Sequence, residues 1–329
     1  MKPFGYARAV EADTAVATIS NNQDTKFIAG GTNLLDLMKE EVEQPDKLID
    51  INRLPLTKIE ETSSGGVRIG AMVSNTHTAN HPLIRQRYPV LSQAFLAGAT
   101  QQLRNRATVG GNLMQRTRCY YFVNPIYPCN KRKPNSGCPA IEGYNRNHAI
   151  LGTSEQCIAA HPSDMCVALA ALDATVHLQG TNGTRTVPIS EFHLLPEANP
   201  DVETVLQPDE LITAVELPAL FWAKRSHYLK VRDRTSYAFA LVSVAAALDL
   251  DGDTIKDARI ACGGIGTKPW RASEVESALI GQRANTETYQ TAAEILVRDA
   301  KPQQHNAFKV ELAKRTLIRA LTEVATMDR

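Results

Sequence analysis

The sequence predicts an α+β protein of about two domains. Three observations lead there. The 329 residues, 43% of them hydrophobic, exceed what one core usually holds, since cores stop growing at roughly 250–300 residues. Short apolar runs of strand character mix with helical patterns, but without the regular strand–helix–strand rhythm of a parallel α/β sheet. Gly, Pro and Asn signals bound the runs tightly enough to separate the chain into three stretches.

In the first stretch, 1–57, a short strand is expected from Lys26 to Ala29, running into Gly30-Gly31, with a helix over Asn33 to Glu40. A second strand, Lys47 to Ile51, ends at Asn52, and Leu54-Pro55-Leu56 reads as a linker. The second stretch, 58–218, is expected to open with a strand at Val67–Ile69 and to contain a helix over Pro89–Ala99. Its later predicted strands are Ala174–Gln179, Thr186–Ile189 and Ile212–Leu217, set off by Asn182-Gly183 and Pro218. The third stretch, 219–329, is an α+β unit with predicted strands Tyr228–Val231, Ala238–Leu250 and Ile255–Cys262 and a helix Ser273–Leu279. From Asn306 to Ala325, Phe308, Leu312, Leu317, Leu321 and Val324 fall near helical spacing and predict an amphipathic terminal helix.

Composition excludes several classes. A net charge of +1 argues against a nucleic-acid binder. The longest apolar run, Tyr237 to Leu248, is too short for a membrane span, which takes about 20 residues. The residues after Met1 show no signal-peptide pattern, which favours the cytoplasm unless a partner carries the export signal. Six cysteines are too few for a disulfide scaffold in a chain of this size.

Ala29-Gly30-Gly31-Thr32-Asn33-Leu34-Leu35 joins a predicted strand to a predicted helix. Glycine permits positive φ and close backbone approach, so the amides of Gly30 to Asn33 can converge on an anion at a helix N-terminus. The plainer reading is a strand-to-helix turn capped by Thr or Asn. A second pair, in Ala107-Thr108-Val109-Gly110-Gly111-Asn112-Leu113, again offers bare amides beside a hydroxyl and an amide side chain. Two such segments suggest a long dinucleotide held at more than one point, and without a GxGxxG pattern a Rossmann domain has little support.

Residues 116–152 are rich in Asn, Pro, Gly and Tyr and too long for an unsupported loop. The cysteines of this stretch and its edge are spaced Cys119-x9-Cys129-x8-Cys138-x18-Cys157, wider than in zinc ribbons or bacterial ferredoxins, so unpaired thiols are an open alternative. Pro128 and Pro139 flank cysteines, and residues 104–148 hold eight Arg or Lys against one acid, Glu142. That excess suits a negatively charged thiolate cluster, or equally a solvated face or a docking patch.

The motifs AGGTNLLDLM (29–38), ATVGGNL (107–113), HPSDM (161–165), YLKVRDRTSYAFALVSVAAAL (228–248) and GGIGTKPWRA (263–272) resemble those of the FAD-binding subunits of the xanthine dehydrogenase and carbon monoxide dehydrogenase family. Within it the chain is most similar to the flavin subunits of bacterial periplasmic aldehyde oxidases. The resemblance implies a two-subdomain FAD-binding domain of the vanillyl-alcohol-oxidase type, over 1–57 and 58–218, then a C-terminal α+β domain over 219–329. It implies that Lys26, Phe27, Ile28, Ala29, Gly30, Gly31, Thr32, Asn33 and Leu34 wrap the FAD pyrophosphate, with Thr108, Gly111 and Asn112 on the other side of the cofactor. By the same likeness Asp164 binds ribose or ribityl hydroxyls and Lys230 lies near the isoalloxazine; the plain alternatives are a helix N-cap and a strand-end lysine.

Near relatives carry a comparable cysteine insert, here 116–157, so Cys119, Cys129, Cys138 and Cys157 are the implied ligands of a [4Fe-4S] cluster. Cys166 reads as core, and Cys262 has no evident partner. No residue here is expected to act on the organic substrate. The implied assembly is a heterotrimer with a molybdopterin-containing large subunit and a [2Fe-2S] small subunit, in the periplasm by co-export with a signal-bearing partner. Electrons would pass through the FAD to an external acceptor. The rival functions are a self-sufficient flavin oxidase, for which His77, His81, His148, His161 and His193 look too scattered, and a zinc-stabilised non-enzymatic binding module.

Overall fold

The computed structural model describes residues 1–20 and 24–327. Strands β1 (Gly5–Arg8), β2 (Thr25–Ile28) and β3 (Lys47–Asp50) form a parallel sheet in the order β1-β3-β2. The central strand is the apolar one, with Leu48 and Ile49 buried, and the helix Ala12–Ser20 packs Ala15, Val16 and Ile19 into one small core with Ile49. That helix and β1 were not expected; β1 is mostly exposed and so shows no apolar alternation. The helix after β2 spans Leu34–Lys39, one residue shorter at each end than predicted.

Five further strands make an antiparallel sheet: β4 (Ile59–Glu61), β5 (Val67–Gly70), β6 (Thr175–Gly180), β7 (Gly183–Pro188) and β8 (Leu211–Leu217), in the order β4-β5-β8-β6-β7. A series of short helices shares its core, through Leu91 and Phe95 of the helix Pro89–Ala97, Tyr88 just before it, and Leu169 of the helix Asp164–Ala171. The neighbouring helices Asn75–Asn80, Pro82–Arg87, Gln101–Arg106 and Val109–Leu113 escape a sequence reading because none is long enough to display a helical period.

The last sheet is antiparallel: β9 (Ser226–Val231), β10 (Val242–Asp251), β11 (Thr254–Gly263) and β12 (Trp270–Arg271), in the order β12-β11-β10-β9. β10 is buried from Val242 to Leu248 because both of its faces are covered. Val242, Val244, Ala246 and Leu248 meet the helices Ser273–Leu279, Thr286–Val297 and Phe308–Ala325. Ala245, opposite Ala261, joins the core of the preceding unit instead. The strand begins at Val242, later than the predicted Ala238, and the chain turns at Tyr237, whose φ is +51°. The helix Thr286–Val297 was missed, although Tyr289, Ala292, Ala293, Leu296 and Val297 keep helical spacing behind the Asn285 cap.

The 116–152 stretch forms one short helix, Tyr120–Val123, and buried side-chain amides tie down much of the rest. Buried Asn130 donates to Gln156 O at 3.0 Å and accepts from Gly137 N at 2.8 Å, while buried Asn145 donates to Ala140 O at 3.1 Å and accepts from His305 N at 2.9 Å. Much of the local basic excess is likewise spent internally. Arg116 bridges Glu43 and Glu203, Lys131 bridges Glu203, and Arg104 binds the carbonyls of Leu96, Gly98 and Ala99. Among the described residues no helix is long and apolar enough to cross a membrane.

Candidate functional site

β2 ends where Ile28 pairs with Asp50, and the chain then enters the first glycine segment. Asn52 Nδ2 fixes Ala29 O at 2.9 Å, and Gly31, at φ +75°, turns the chain toward the helix Leu34–Lys39. Lys26, Phe27, Ile28, Ala29, Gly30, Gly31, Thr32, Asn33 and Leu34 all line one cavity of about 1030 Å³. That volume suits a ligand longer than a typical drug-sized molecule. Among the described residues no group accepts a hydrogen bond from the amides of Gly30, Gly31, Thr32 or Asn33. Gly30 must be glycine for a tertiary reason: a Cβ there would stand 2.0 Å from Arg106 O.

The second glycine segment corrects its expectation. Its amides are not bare: Val109 N binds Val73 O, Gly110 N binds Ala71 O, Gly111 N binds Thr108 Oγ1 and Asn112 N binds Thr108 O. The segment is a one-turn helix capped by Thr108, and its glycines let it pack against the chain at Ala71. Thr108 and Gly111 do line the large cavity, and a Cβ on Gly111 would meet nothing within 4 Å but the Thr108 hydroxyl. Asn112 is not among the lining residues; its Oδ1 accepts from Ser163 Oγ at 2.7 Å and Gln115 Nε2 at 2.6 Å.

Asp164 lines a second cavity of about 360 Å³, which shares Thr117, Ala160, His161 and Pro162 with the first. It is not the helix N-cap; Ser163 is, its Oγ accepting from Cys166 N at 3.0 Å. Asp164 is instead held by Lys230 Nζ at 2.7 Å and Tyr228 Oη at 2.6 Å. Burial, then the Asp164 charge, pushes the Tyr228 hydroxyl well above its ordinary range, so it stays a donor. Lys230 is no solvated strand-end lysine: its side chain is 4% exposed, and Nζ also donates to Ala97 O at 3.2 Å. It lies behind Asp164 rather than on the wall of either cavity.

Two histidines expected to be scattered meet at the large cavity. The rings of His161 and His193 are 4.5 Å apart, edge to face, and both residues line the wall. His161 Nε2 and His193 Nδ1 are buried and have no hydrogen-bond partner among the described residues. Burial holds His193 down to about 4 and His161 well below its usual value, so both are neutral.

Cys119, Cys129, Cys138 and Cys157 all line one small cavity. Lys131 and Ala159 line both this cavity and the large one, and Cys119 lines both this cavity and the second one, so the three spaces adjoin. Burial pushes the Cys119 thiol up to about 12 and that of Cys157 to about 11. Among the described residues only His161, Cys166 and His193 bring three donor atoms within 4.8 Å of one another. The four loop sulfurs are thus spread wider than around one zinc ion, where Zn–S bonds of 2.3 Å place sulfurs roughly 3.8 Å apart. Cys166 and Cys262 are fully buried away from this group.

The chain matches two family models: the FAD binding domain in molybdopterin dehydrogenase over residues 2–220, and the CO dehydrogenase flavoprotein C-terminal domain over 227–324. It is 51% identical to the aldehyde oxidoreductase FAD-binding subunit of Escherichia coli over 98% of each chain. It is 29% identical to the glyceraldehyde dehydrogenase medium chain of Sulfolobus acidocaldarius, again over 98% of each. Among solved structures, a carbon monoxide dehydrogenase chain from Hydrogenophaga pseudoflava superposes with a TM-score of 0.77 at 28% identity, covering 98% of both chains. A cavity that takes in the whole first glycine segment, with four free amides at its wall, sits within a fold and a sequence shared end to end with these relatives, and the chain belongs to the family of FAD-binding subunits of molybdenum hydroxylases, as an oxidoreductase subunit.

Proposed function

We propose that this chain is the electron-transfer subunit of a molybdenum-dependent aldehyde oxidoreductase, passing electrons from a partner's [2Fe-2S] clusters to an external acceptor. The observation that carries the reading is the set of unpaired amides from Gly30 to Asn33 at the wall of the 1030 Å³ cavity. FAD bound there supplies reversible redox chemistry between electron donors and acceptors. The chain's own residues bind and orient. Lys26 to Leu34 wrap the pyrophosphate, and the free amides satisfy its oxygens. Thr108 and Gly111 line the same cavity, while Asn112 holds Ser163 at the wall of the second one. Asp164 takes cofactor hydroxyls on its remaining lone pairs while Lys230 and Tyr228 fix its carboxylate. Lys230 thereby acts as a buried cation near the flavin end.

Cys119, Cys129, Cys138 and Cys157 hold a [4Fe-4S] cluster; the wide sulfur spacing and the shared cavity support this over a single zinc ion. Substrate oxidation falls to a molybdopterin-containing large subunit, and with a [2Fe-2S] small subunit the assembly is a heterotrimer. We place it in the periplasm by co-export with a signal-bearing partner, which cell fractionation tests. The chain divides as 1–57, 58–218 with the cysteine insert, and 219–329. An absorbance spectrum of the anaerobically purified chain, with iron and sulfide counted per flavin, tests the cofactors together. One FAD with about four iron and four sulfide is expected; zinc without flavin would overturn the reading.

A further inference from the structure

We infer that His148 is a positioning residue that sets the reduction potential of the iron–sulfur cluster by donating its Nε2–H to the sulfur of Cys119. The inference rests on the proposal that the four loop cysteines hold a cluster. Nε2 lies 3.1 Å from Cys119 Sγ, and the ring is 2% exposed. A cysteine bound to iron has no S–H, so the hydrogen in this contact comes from the imidazole. A neutral imidazole carries one ring proton, on either Nδ1 or Nε2. Placed on Nδ1, that proton would be a buried donor without an acceptor, and the Nε2 lone pair would face a negatively charged sulfur. Placed on Nε2, it meets the sulfur and leaves only an unpaired acceptor at Nδ1.

The ring cannot easily drift from this position. His148 N donates to Asn145 O at 3.0 Å, and His148 O accepts from Lys309 Nζ at 2.9 Å and Asn306 Nδ2 at 3.3 Å. Lys309 belongs to the helix Phe308–Ala325 and Asn306 lies just before it, so the C-terminal unit clamps a residue of the cysteine insert. Cys119 is also the one cysteine of the four that lines the second cavity, beside His148 and Asp164. The hydrogen bond therefore stands in the wall between the cluster and the cofactor space. An N–H···S bond stabilises the more electron-rich, reduced cluster and raises its potential.

The test is a redox titration of the anaerobically purified complex, followed by electron paramagnetic resonance, for wild type, His148→Leu and His148→Gln. The expected result is a midpoint shifted negative in His148→Leu and returned toward wild type in His148→Gln, whose amide restores an N–H. FAD content should be unchanged in both. A full cluster with an unshifted midpoint in His148→Leu would overturn the inference. Wild-type protein without iron and sulfide would overturn the cluster reading, and this inference with it. A readout free of folding effects is pulsed resonance on the reduced wild type with nitrogen-labelled histidine: a coupling to an imidazole nitrogen supports the assignment, and its absence overturns it.

Discussion

Gly30→Ala perturbs the contact that holds the two glycine segments together. An added Cβ would lie 2.0 Å from Arg106 O and 2.7 Å from Arg106 C, both main-chain atoms. No side chain can swing away, so one segment must retreat by about an ångström to restore ordinary contact. Overpacking of this kind costs about 1–3 kcal/mol of stability. The same retreat displaces the free Gly30 amide, and a hydrogen bond to a charged group contributes about 1.5–3 kcal/mol. At 1.4 kcal/mol per tenfold, FAD affinity should fall roughly 10- to 100-fold. Fluorescence titration of the deflavinated protein with FAD measures the affinity, and a thermal melt reports the overpacking. Gly111→Ala is the comparison: its Cβ meets only Thr108 Oγ1, at 3.0 Å, so it should spare the melting temperature and touch FAD binding alone. Wild-type affinity and melting temperature in Gly30→Ala would refute the reasoning.

Other consequences follow from the buried charges and thiols. Lys230→Met strands the Asp164 carboxylate beside Tyr228 and should cost about 3–5 kcal/mol in urea unfolding, much of it recovered in Lys230→Met/Asp164→Leu. Burial, then Arg146, lowers Lys309 to about 7, and among the described residues its Nζ donates only to the carbonyls of His148 and Gly264. A lysine depressed on folding binds fewer protons folded than unfolded between pH 7 and 10.5, so its destabilising contribution fades as pH rises through that window. From pH 7 to 9 wild type should gain about 2–3 kcal/mol relative to Lys309→Met, and equal slopes in urea melts would contradict this. Cys138 lines the small cavity and neither of the other two, so Cys138→Ser should lose iron and sulfide while keeping FAD, as metal analysis and flavin absorbance would show.

Features carried by neighbouring residues were legible in the chain alone. The apolar run ending in β10, the 3.6-residue spacing of the helix Phe308–Ala325, the strand entering Gly30-Gly31 and the family motifs are all local patterns. They sufficed for the α+β class, the family and FAD. The helix Pro89–Ala97 was legible, but its neighbours Asn75–Asn80, Pro82–Arg87, Gln101–Arg106 and Val109–Leu113 were not, being shorter than the two turns over which a period shows. The helix Thr286–Val297 did carry its signal, in a capping Asn285 and a stripe that ends on Leu296 and Val297.

Only the tertiary structure decided which of these groups are available to a ligand. Two similar glycine pairs look equivalent in sequence, yet the Gly30 amide is free and the Gly110 amide is bound to Ala71 O. Asp164 reads as a cap in sequence, yet Lys230 and Tyr228, arriving from β9, take its carboxylate, and Ser163 caps the helix instead. His161 and His193, or Cys119 and His148, meet only when distant elements pack. The reason is physical: backbone propensity and apolar period are properties of adjacent residues, whereas the occupancy of a donor or acceptor depends on whichever distant group the packed core brings to it.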